Sequence, residues 1–355
     1  MTWADSLGQQ AALDRWRESI GLVFDEERDE AVLQQTVTRQ PLRRRPVTQM
    51  RYGRVKGIEQ DISRQVMGTM IYHPDQQAFA NAMFDYFFEI GGNCFDTAFT
   101  YHGGQAEPAL GNWLRLRGIR EQVVILGKGG HSTSVTPEMI ERELPITLER
   151  LQTDYVDLYL LHRDNPTVPA GEFVDLFNRH RAAGRIRAFG GSNWPTERLA
   201  EANEYAASHG LTGFSAGSPN FTLAAWNEPV YPDCLTATDP ASKAWYTEQQ
   251  LPLFAWSSQA NGFFTGRYRP DDQSDARMVR FWYSADNWRR YERARELGRR
   301  KGVDATQIAA AYALAQPFPT FALIGPRTIE ETRTTALGLA VTLTPEEVAW
   351  LNLEA

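Results

Sequence analysis

The chain has 355 residues, 42% hydrophobic and 23% charged, with a formal net charge of −7. That balance fits a globular protein with a large core. It excludes nucleic acid or an acidic membrane as a general partner, because both would repel such a surface. Two cysteines, Cys94 and Cys234, show no metal-ligand spacing and make no disulfide framework, so neither a metal nor a disulfide is expected. A reducing cytoplasm is then the default location. The N-terminus lacks a basic start followed by an apolar core, so no signal peptide is expected. No apolar stretch approaches the roughly 20 residues that span a bilayer.

Residues 1–46 are polar and read as a helical extension and linker. The spacing in LGQQAALDRWRESIGLVF predicts one amphipathic helix, and DEERDEAVLQQTV a second. The run Leu42-Arg43-Arg44-Arg45, between Pro41 and Pro46, reads as a solvated linker. A barrel-sized domain is expected over 47–355. Strand-like runs follow at 63–72, 93–98, 123–128, 155–162, 186–191, 214–219, 252–258 and 320–325. Helical segments separate most of them, several ending in glycine, as C-caps prefer, and many starting after Thr, Ser, Asp or Pro. Eight strands alternating with helices predict an α/β fold, a (β/α)8 TIM barrel. A doubly wound sheet is the rival, but no GxGxxG follows the first strand. The connections 220–251 and 259–290, after the sixth and seventh strands, are long and aromatic, and are expected to shape a site.

Four segments carry the chemistry: NCFDTAFTY, VVILGK, YVDLYLLH and IRAFGGSN. The first three deliver Asp96 and Tyr101, Lys128, and His162 at the ends of strands. In a parallel barrel those ends share one face, so the four residues are expected to meet. Taken singly, each has an ordinary structural reading: a turn-capping Asp or a satisfied His.

The phrases FDTAFTYHGGQAEPALGNWL, LGKGG, TLERLQTDYVDLYLLHR, GRIRAFGGSNW and ALIGPRTIEET occur in an order and spacing that resembles the aldo-keto reductase superfamily, over roughly 47–353. The resemblance implies a barrel that binds NADP(H) and reduces an aldehyde or ketone, or oxidises the matching alcohol. It implies that Asp96, Tyr101, Lys128 and His162 are the catalytic set. The chemistry is coherent: hydride transfer to a carbonyl needs a proton donor. A phenol ordinarily titrates near pH ~10, and a neighbouring ammonium would lower that value. Lys128 would supply the ammonium, Asp96 would hold it, and His162 would bind the carbonyl oxygen.

By the same resemblance Ser192 and Asn193 contact the nicotinamide carboxamide, and Trp256 replaces the family's stacking tyrosine. Ser218 stands where a glutamine is usual. Thr69, Met70, Ser257 and Gly262 complete the expected cofactor contacts. Arg327 and Thr328, after the last strand, would hold the 2′-phosphate, while Glu331 is an acid close to that phosphate. NADPH is therefore expected over NADH, with NAD(H) as the alternative.

Tyr72, His102, Arg163 and Trp194 are the expected substrate contacts. Their polar-aromatic mix suits a sugar or other polyhydroxylated carbonyl. The segment LDRWRESIGLVFDEE resembles a stretch of glucose-fructose-oxidoreductase-like sugar dehydrogenases, so a sugar oxidoreductase docked on the extension is one expected partner and a second copy of this chain another. Rival readings are a redox-sensing subunit like the potassium-channel β subunits, a dehydrogenase running in the oxidative direction, and a barrel lyase using Lys128 as a Schiff base.

Overall fold

The computed structural model describes residues 2–24, 28–46 and 48–354. β1 (Tyr52–Gly53) and β2 (Ile62–Ser63) pair antiparallel as a small hairpin. β3 (Gln65–Gly68), β4 (Cys94–Asp96), β5 (Val124–Gly129), β6 (Val156–Leu161), β7 (Ile186–Ser192), β8 (Ala216–Ser218), β9 (Leu253–Ala255) and β10 (Thr320–Ile324) form a closed parallel barrel. The ring closes where β10 pairs with β3, Ala322 opposite Gln65. This is the expected (β/α)8 barrel.

The strands are apolar runs because both of their faces are covered. Inward-facing residues such as Val66, Leu126, Leu158, Phe254 and Phe321 fill the interior, joined by Val55, Ile58 and Ile62 from the hairpin. The hairpin thus plugs the end of the barrel where the strands begin, leaving the opposite end for chemistry. Outward-facing residues pack on helices. The helix Gln77–Glu89 places Phe84, Phe87 and Phe88 on one face at helical spacing. Phe84 meets Phe95 of β4 at 5.4 Å and Trp113 at 5.5 Å between ring centres.

Several elements differ from the sequence reading. The run at 63–72 divides: the carbonyl of Arg64 accepts from Ala322 while its N–H donates to Arg51, so the chain passes from hairpin to barrel at that residue. Beyond β3, residues 69–72 close a turn, Tyr72 N–H to Thr69 carbonyl at 3.0 Å. The helical stretch after the seventh strand is two helices, Ala285–Lys301 and Ala305–Leu314, separated at Gly302 (φ +70°) and restarted by an Asp304–Gln307 capping box. The two long connections carry helices of their own, Pro240–Gln249 and Ala276–Trp282, each capped by an aspartate, Asp239 and Asp275.

The N-terminal helix runs over Trp3–Ser19. It is not a packed amphipathic helix: Leu7, Leu13, Trp16 and Ile20 are exposed. Leu13, Trp16 and Ile20 share one side and Leu7 lies about 120° from Leu13, and none of them is covered. In the second predicted helix, residues 25–27 lie outside the described residues, and the helix present is Asp29–Gln34. The segment behind it is docked. Arg117 donates to the carbonyls of Leu33, Gln34 and Gln35 at 2.8–3.1 Å, and Asn81 also donates to Leu33. The arginine run is not a free linker either. Arg44 lies over Phe88, Arg45 lies over Tyr86, and the N–H of Arg45 donates to the Glu89 carbonyl. Residues 1, 47 and 355, at the ends of the two expected segments, are outside the described residues.

Candidate active site

Asp96 is the last residue of β4, Lys128 the penultimate residue of β5, and His162 the first residue after β6. The parallel register sets Asp96 opposite Leu126 and Lys128 opposite Leu160, so these ends sit side by side. Tyr101 follows on a short 3-10 turn, its N–H donating to the Ala98 carbonyl at 3.0 Å. Asp96 then bridges two partners. Oδ1 accepts from the Lys128 ammonium, and Oδ2 accepts from the Tyr101 hydroxyl at 3.4 Å. Lys128 Nζ also donates to the Thr97 carbonyl at 3.1 Å and lies 4.9 Å from the centre of the Tyr101 ring. His162 stands edge-on to Tyr101, 5.7 Å between ring centres. All four expected catalytic residues are in one place.

Their electrostatics depart from expectation at one point. Burial and the Asp96 carboxylate push the Tyr101 phenol well above its ordinary value. The Arg163 guanidinium opposes that rise, while the Lys128 ammonium is paired with Asp96 and lies over the Tyr101 ring. Burial pushes the Asp96 carboxyl up and the Lys128 ammonium down, and each charge opposes the shift of the other. Burial, with the cations Lys128 and Arg163 and the neighbouring His131, holds His162 well below the ordinary imidazole range, so its ring is neutral. Nδ1 of that ring has no protein partner among the described residues.

The cofactor positions fall around the same mouth. Thr69 is buried, and its N–H and hydroxyl both donate to the Asp96 carbonyl at 2.9 Å; it seats the aspartate. Met70 beside it is 49% exposed. Asn193 donates to the His162 carbonyl at 3.3 Å and to Ser192 Oγ at 3.1 Å, and its Oδ1 accepts from Leu235 N–H at 3.2 Å. Ser192 and Ser218 spend their hydroxyls on backbone: Ser192 on the Ser218 carbonyl at 2.9 Å, Ser218 on the Phe254 carbonyl at 2.8 Å. Trp256 and Ser257 are half-buried just past β9. Gly262 has φ +86°, and a Cβ there would lie 2.8 Å from Nη2 of Arg267. Thr328 caps the helix Ile329–Leu337 by accepting from Glu331 N–H, and the Glu331 carboxylate accepts from Arg327 N–H at 2.7 Å. Arg327, Thr328 and Glu331 are exposed. An uncovered Met70, a half-covered indole and exposed arginines on two adjacent loops fit an extended, anionic dinucleotide with one flat apolar end.

Two expected substrate contacts are placed elsewhere. Tyr72 is buried beneath the mouth, its hydroxyl donating to the Pro326 carbonyl at 3.2 Å. The turn at 69–72 rotates it off the strand direction. Trp194 is packed in the outer shell against Phe173 and Phe214, and its indole N–H donates to the Arg163 carbonyl at 3.2 Å. It supports Arg163 rather than facing a substrate. His102 has φ +49° and stacks on His73 at the exposed rim, 4.6 Å between ring centres. Arg163 is buried, donating to the His162 carbonyl at 2.9 Å.

The structure adds residues that no local pattern marked. His131 stands edge-on to His162 at 4.4 Å. Trp226 and Tyr231, from the connection after β8, lie 5.7 and 6.1 Å from Trp256. Asn220 holds the Trp256 carbonyl at 3.0 Å. The LGKGGH phrase placed His131 three residues past Lys128, a signal that was available in the chain; nothing local distinguishes Tyr231 among the aromatics of its loop.

A sequence profile described as the Aldo/keto reductase family matches residues 66–352. The norsolorinic acid reductase stcV of Emericella nidulans is 30% identical over 286 residues, 76% of this chain and 70% of that protein. An aryl-alcohol dehydrogenase [NADP(+)] of Phanerodontia chrysosporium is 26% identical over 318 residues, 81% of this chain and 77% of that one. Among solved structures, an aldo-keto reductase from Klebsiella pneumoniae in complex with NADPH superposes with a TM-score of 0.64 at 24% identity, covering 83% of this chain and 91% of that one. With the family profile spanning the whole barrel and its mouth, this chain is an oxidoreductase of the aldo/keto reductase family.

Proposed function

We propose that the protein reduces an aldehyde or ketone to the alcohol with NADP(H), Tyr101 giving the proton. The observation that carries this reading is the Asp96 carboxylate shared between Lys128 and Tyr101 beside a neutral His162. The dinucleotide, when bound, supplies the hydride. The protein's part is position and proton. Neutral His162 offers a ring N–H to the carbonyl oxygen and holds it against Tyr101. As charge develops on that oxygen, the phenol donates its proton. Lys128, pinned by Asp96 at the ring face, offsets the negative charge left on the tyrosine. Asn193, tied to the His162 carbonyl, keeps the strand end from shifting. Met70 and Trp256 would cover the nicotinamide end, and Arg327 and Arg267 the phosphates.

The raised phenol favours reduction over oxidation, because reduction uses the protonated tyrosine and oxidation the phenolate. Trp226, Tyr231 and Trp256 at the mouth, together with relatives named for norsolorinic acid and aryl alcohols, support an aromatic carbonyl ahead of the polyhydroxylated one that the sequence suggested. The test is NADPH consumption with aryl aldehydes, aryl ketones and keto-sugars, with Tyr101→Phe alongside. Turnover that falls by about 10²- to 10⁴-fold in kcat in the mutant is expected. Unchanged turnover in the mutant would remove the tyrosine from the mechanism. Tight NADPH binding without turnover on any carbonyl would favour the sensing-subunit reading.

A further inference from the structure

We propose that this site selects carbonyl substrates carrying an acidic group, anchored by Arg163. The inference rests on the reductase reading above and adds the charge of the substrate to it. Arg163 is 7% exposed, and among the described residues the basic side chains buried as deeply, Lys128 and Arg117, each hold a carboxylate. Lys128 has its carboxylate, Asp96. Arg163 has none: no Asp or Glu among the described residues lies within ion-pair distance of it. Asp164, its neighbour in the chain, is taken by Arg198 at 3.0 and 3.1 Å. The partners Arg163 does have are uncharged, the His162 carbonyl at 2.9 Å and the Cys234 thiol, which burial keeps protonated.

A guanidinium removed from water without a counter-charge is costly, and buried charges are ordinarily paired, so an arriving anion would supply the partner this one lacks. This one sits at the reacting centre, close enough to act electrostatically on Tyr101, His131 and His162. Its backbone is fixed from behind: the Arg163 carbonyl accepts from Trp194, whose ring lies 5.0 Å under the Arg198 guanidinium. A second cation, Arg277, stands on the approach, with Asp233 beside Cys234. Tyr231 reaches toward Tyr101 from the loop after β8, and at the rim its hydroxyl accepts from Arg277 at 3.1 Å. A planar acid would slide along Tyr231 and Trp256 and meet a fixed, fork-shaped donor beside the catalytic tyrosine.

The experiment compares kcat/KM for meta- and para-formylbenzoate with that for their methyl esters, in wild type, Arg163→Lys and Arg163→Met. Each pair shares ring and aldehyde, so the acid-to-ester ratio isolates the charge. A wild-type preference for one of the acids of about 10- to 100-fold is expected, the size of a charge-assisted contact. It should shrink in Arg163→Lys and vanish in Arg163→Met. A ratio near one in the wild type, or the same ratio in all three proteins, overturns the inference and leaves the reductase reading standing. Benzoate and benzamide binding to the NADPH-loaded protein, followed by tryptophan fluorescence, separates the two readings. Arg163-dependent benzoate binding without aldehyde turnover would support the anion anchor and overturn the reductase; neither binding nor turnover would overturn both.

Discussion

Asp96 has one oxygen on Lys128 and the other on Tyr101, so the state of the phenol is decided by a carboxylate, not by the ammonium alone. Burial and that carboxylate both raise the phenol's titration above its ordinary value. The sign for catalysis follows directly. Reduction consumes the protonated form, which persists through neutral pH, so its kcat/KM should be flat from about pH 6 to about pH 9. Oxidation of the matching alcohol needs the phenolate, so its rate should climb with pH and show no plateau below about pH 10. His162 is pulled the other way and stays neutral, so it adds no break in that range. Paired pH profiles in the two directions check this; an oxidative plateau near neutrality would mean that the tyrosine titrates lower than its surroundings dictate. The sequence made Asp96, Tyr101, Lys128 and His162 legible as candidates, because each is a chemically distinctive type at or just past the end of an apolar run. It did not make their charge states legible, because those depend on which oxygen of Asp96 faces which partner.

Elements outside the barrel divide by what they touch. The helix Trp3–Ser19 leaves Leu7, Leu13, Trp16 and Ile20 exposed, so deleting residues 1–24 should move Tm by less than about 2 °C. Deleting 1–46 also removes Leu33, Gln34 and Gln35, the carbonyl acceptors of Arg117, whose guanidinium is paired with buried Asp85. Donors left unmet there cost about 1–3 kcal/mol, or about 1–2 °C in Tm for each kcal/mol in a chain of this size. Thermal unfolding of the two truncations compares them; equal Tm values would show that the docked segment contributes nothing. At the other end of the chain, the loop after β10 exposes Arg327 while Glu331 caps its backbone. Arg327→Ala should reduce the NADPH-over-NADH ratio of kcat/KM by about 10-fold or more if the guanidinium binds the 2′-phosphate. An unchanged ratio would assign that phosphate to another cation, Arg267 being the nearest alternative by loop position. The sequence showed both regions as polar segments; polarity alone does not say which backbone carbonyl an arginine will find.

At the scale of the whole molecule, the barrel closes only because adjacent strands approach without side chains at particular points. Gly190 of β7 is one: a Cβ there would lie 2.0 Å from the Ala216 carbonyl of β8. Gly190→Ala must therefore separate β7 from β8 or break their pairing, and β7 is the strand whose end carries Ser192 and Asn193. A loss of about 3 kcal/mol or more, or failure to fold, is expected from a clash with backbone, which cannot rotate away. Urea unfolding measures it; a Tm and midpoint within error of wild type would contradict the strand spacing described here.

The order of strands, the barrel class and the meeting of Asp96, Tyr101, Lys128 and His162 at one mouth were readable in the chain. The strands rest on local pattern, apolar runs and turn residues; the roles expected of the four side chains and of the dinucleotide loops rest on the family resemblance. What only the tertiary structure decided is which side chains those loops turn inward. Tyr72 and Trp194 look like pocket residues by position, and both are spent on backbone carbonyls because a turn and a packed shell reorient them. Tyr231 reaches the site from a segment that carries no distinctive pattern, and His131 does so from the loop just past Lys128. That Arg163 has no carboxylate partner among the described residues is also a tertiary fact. The chain holds more acidic than basic residues, yet the carboxylate nearest in sequence is bound to Arg198. Pairing of charges is settled by folding, since it joins residues far apart in the chain.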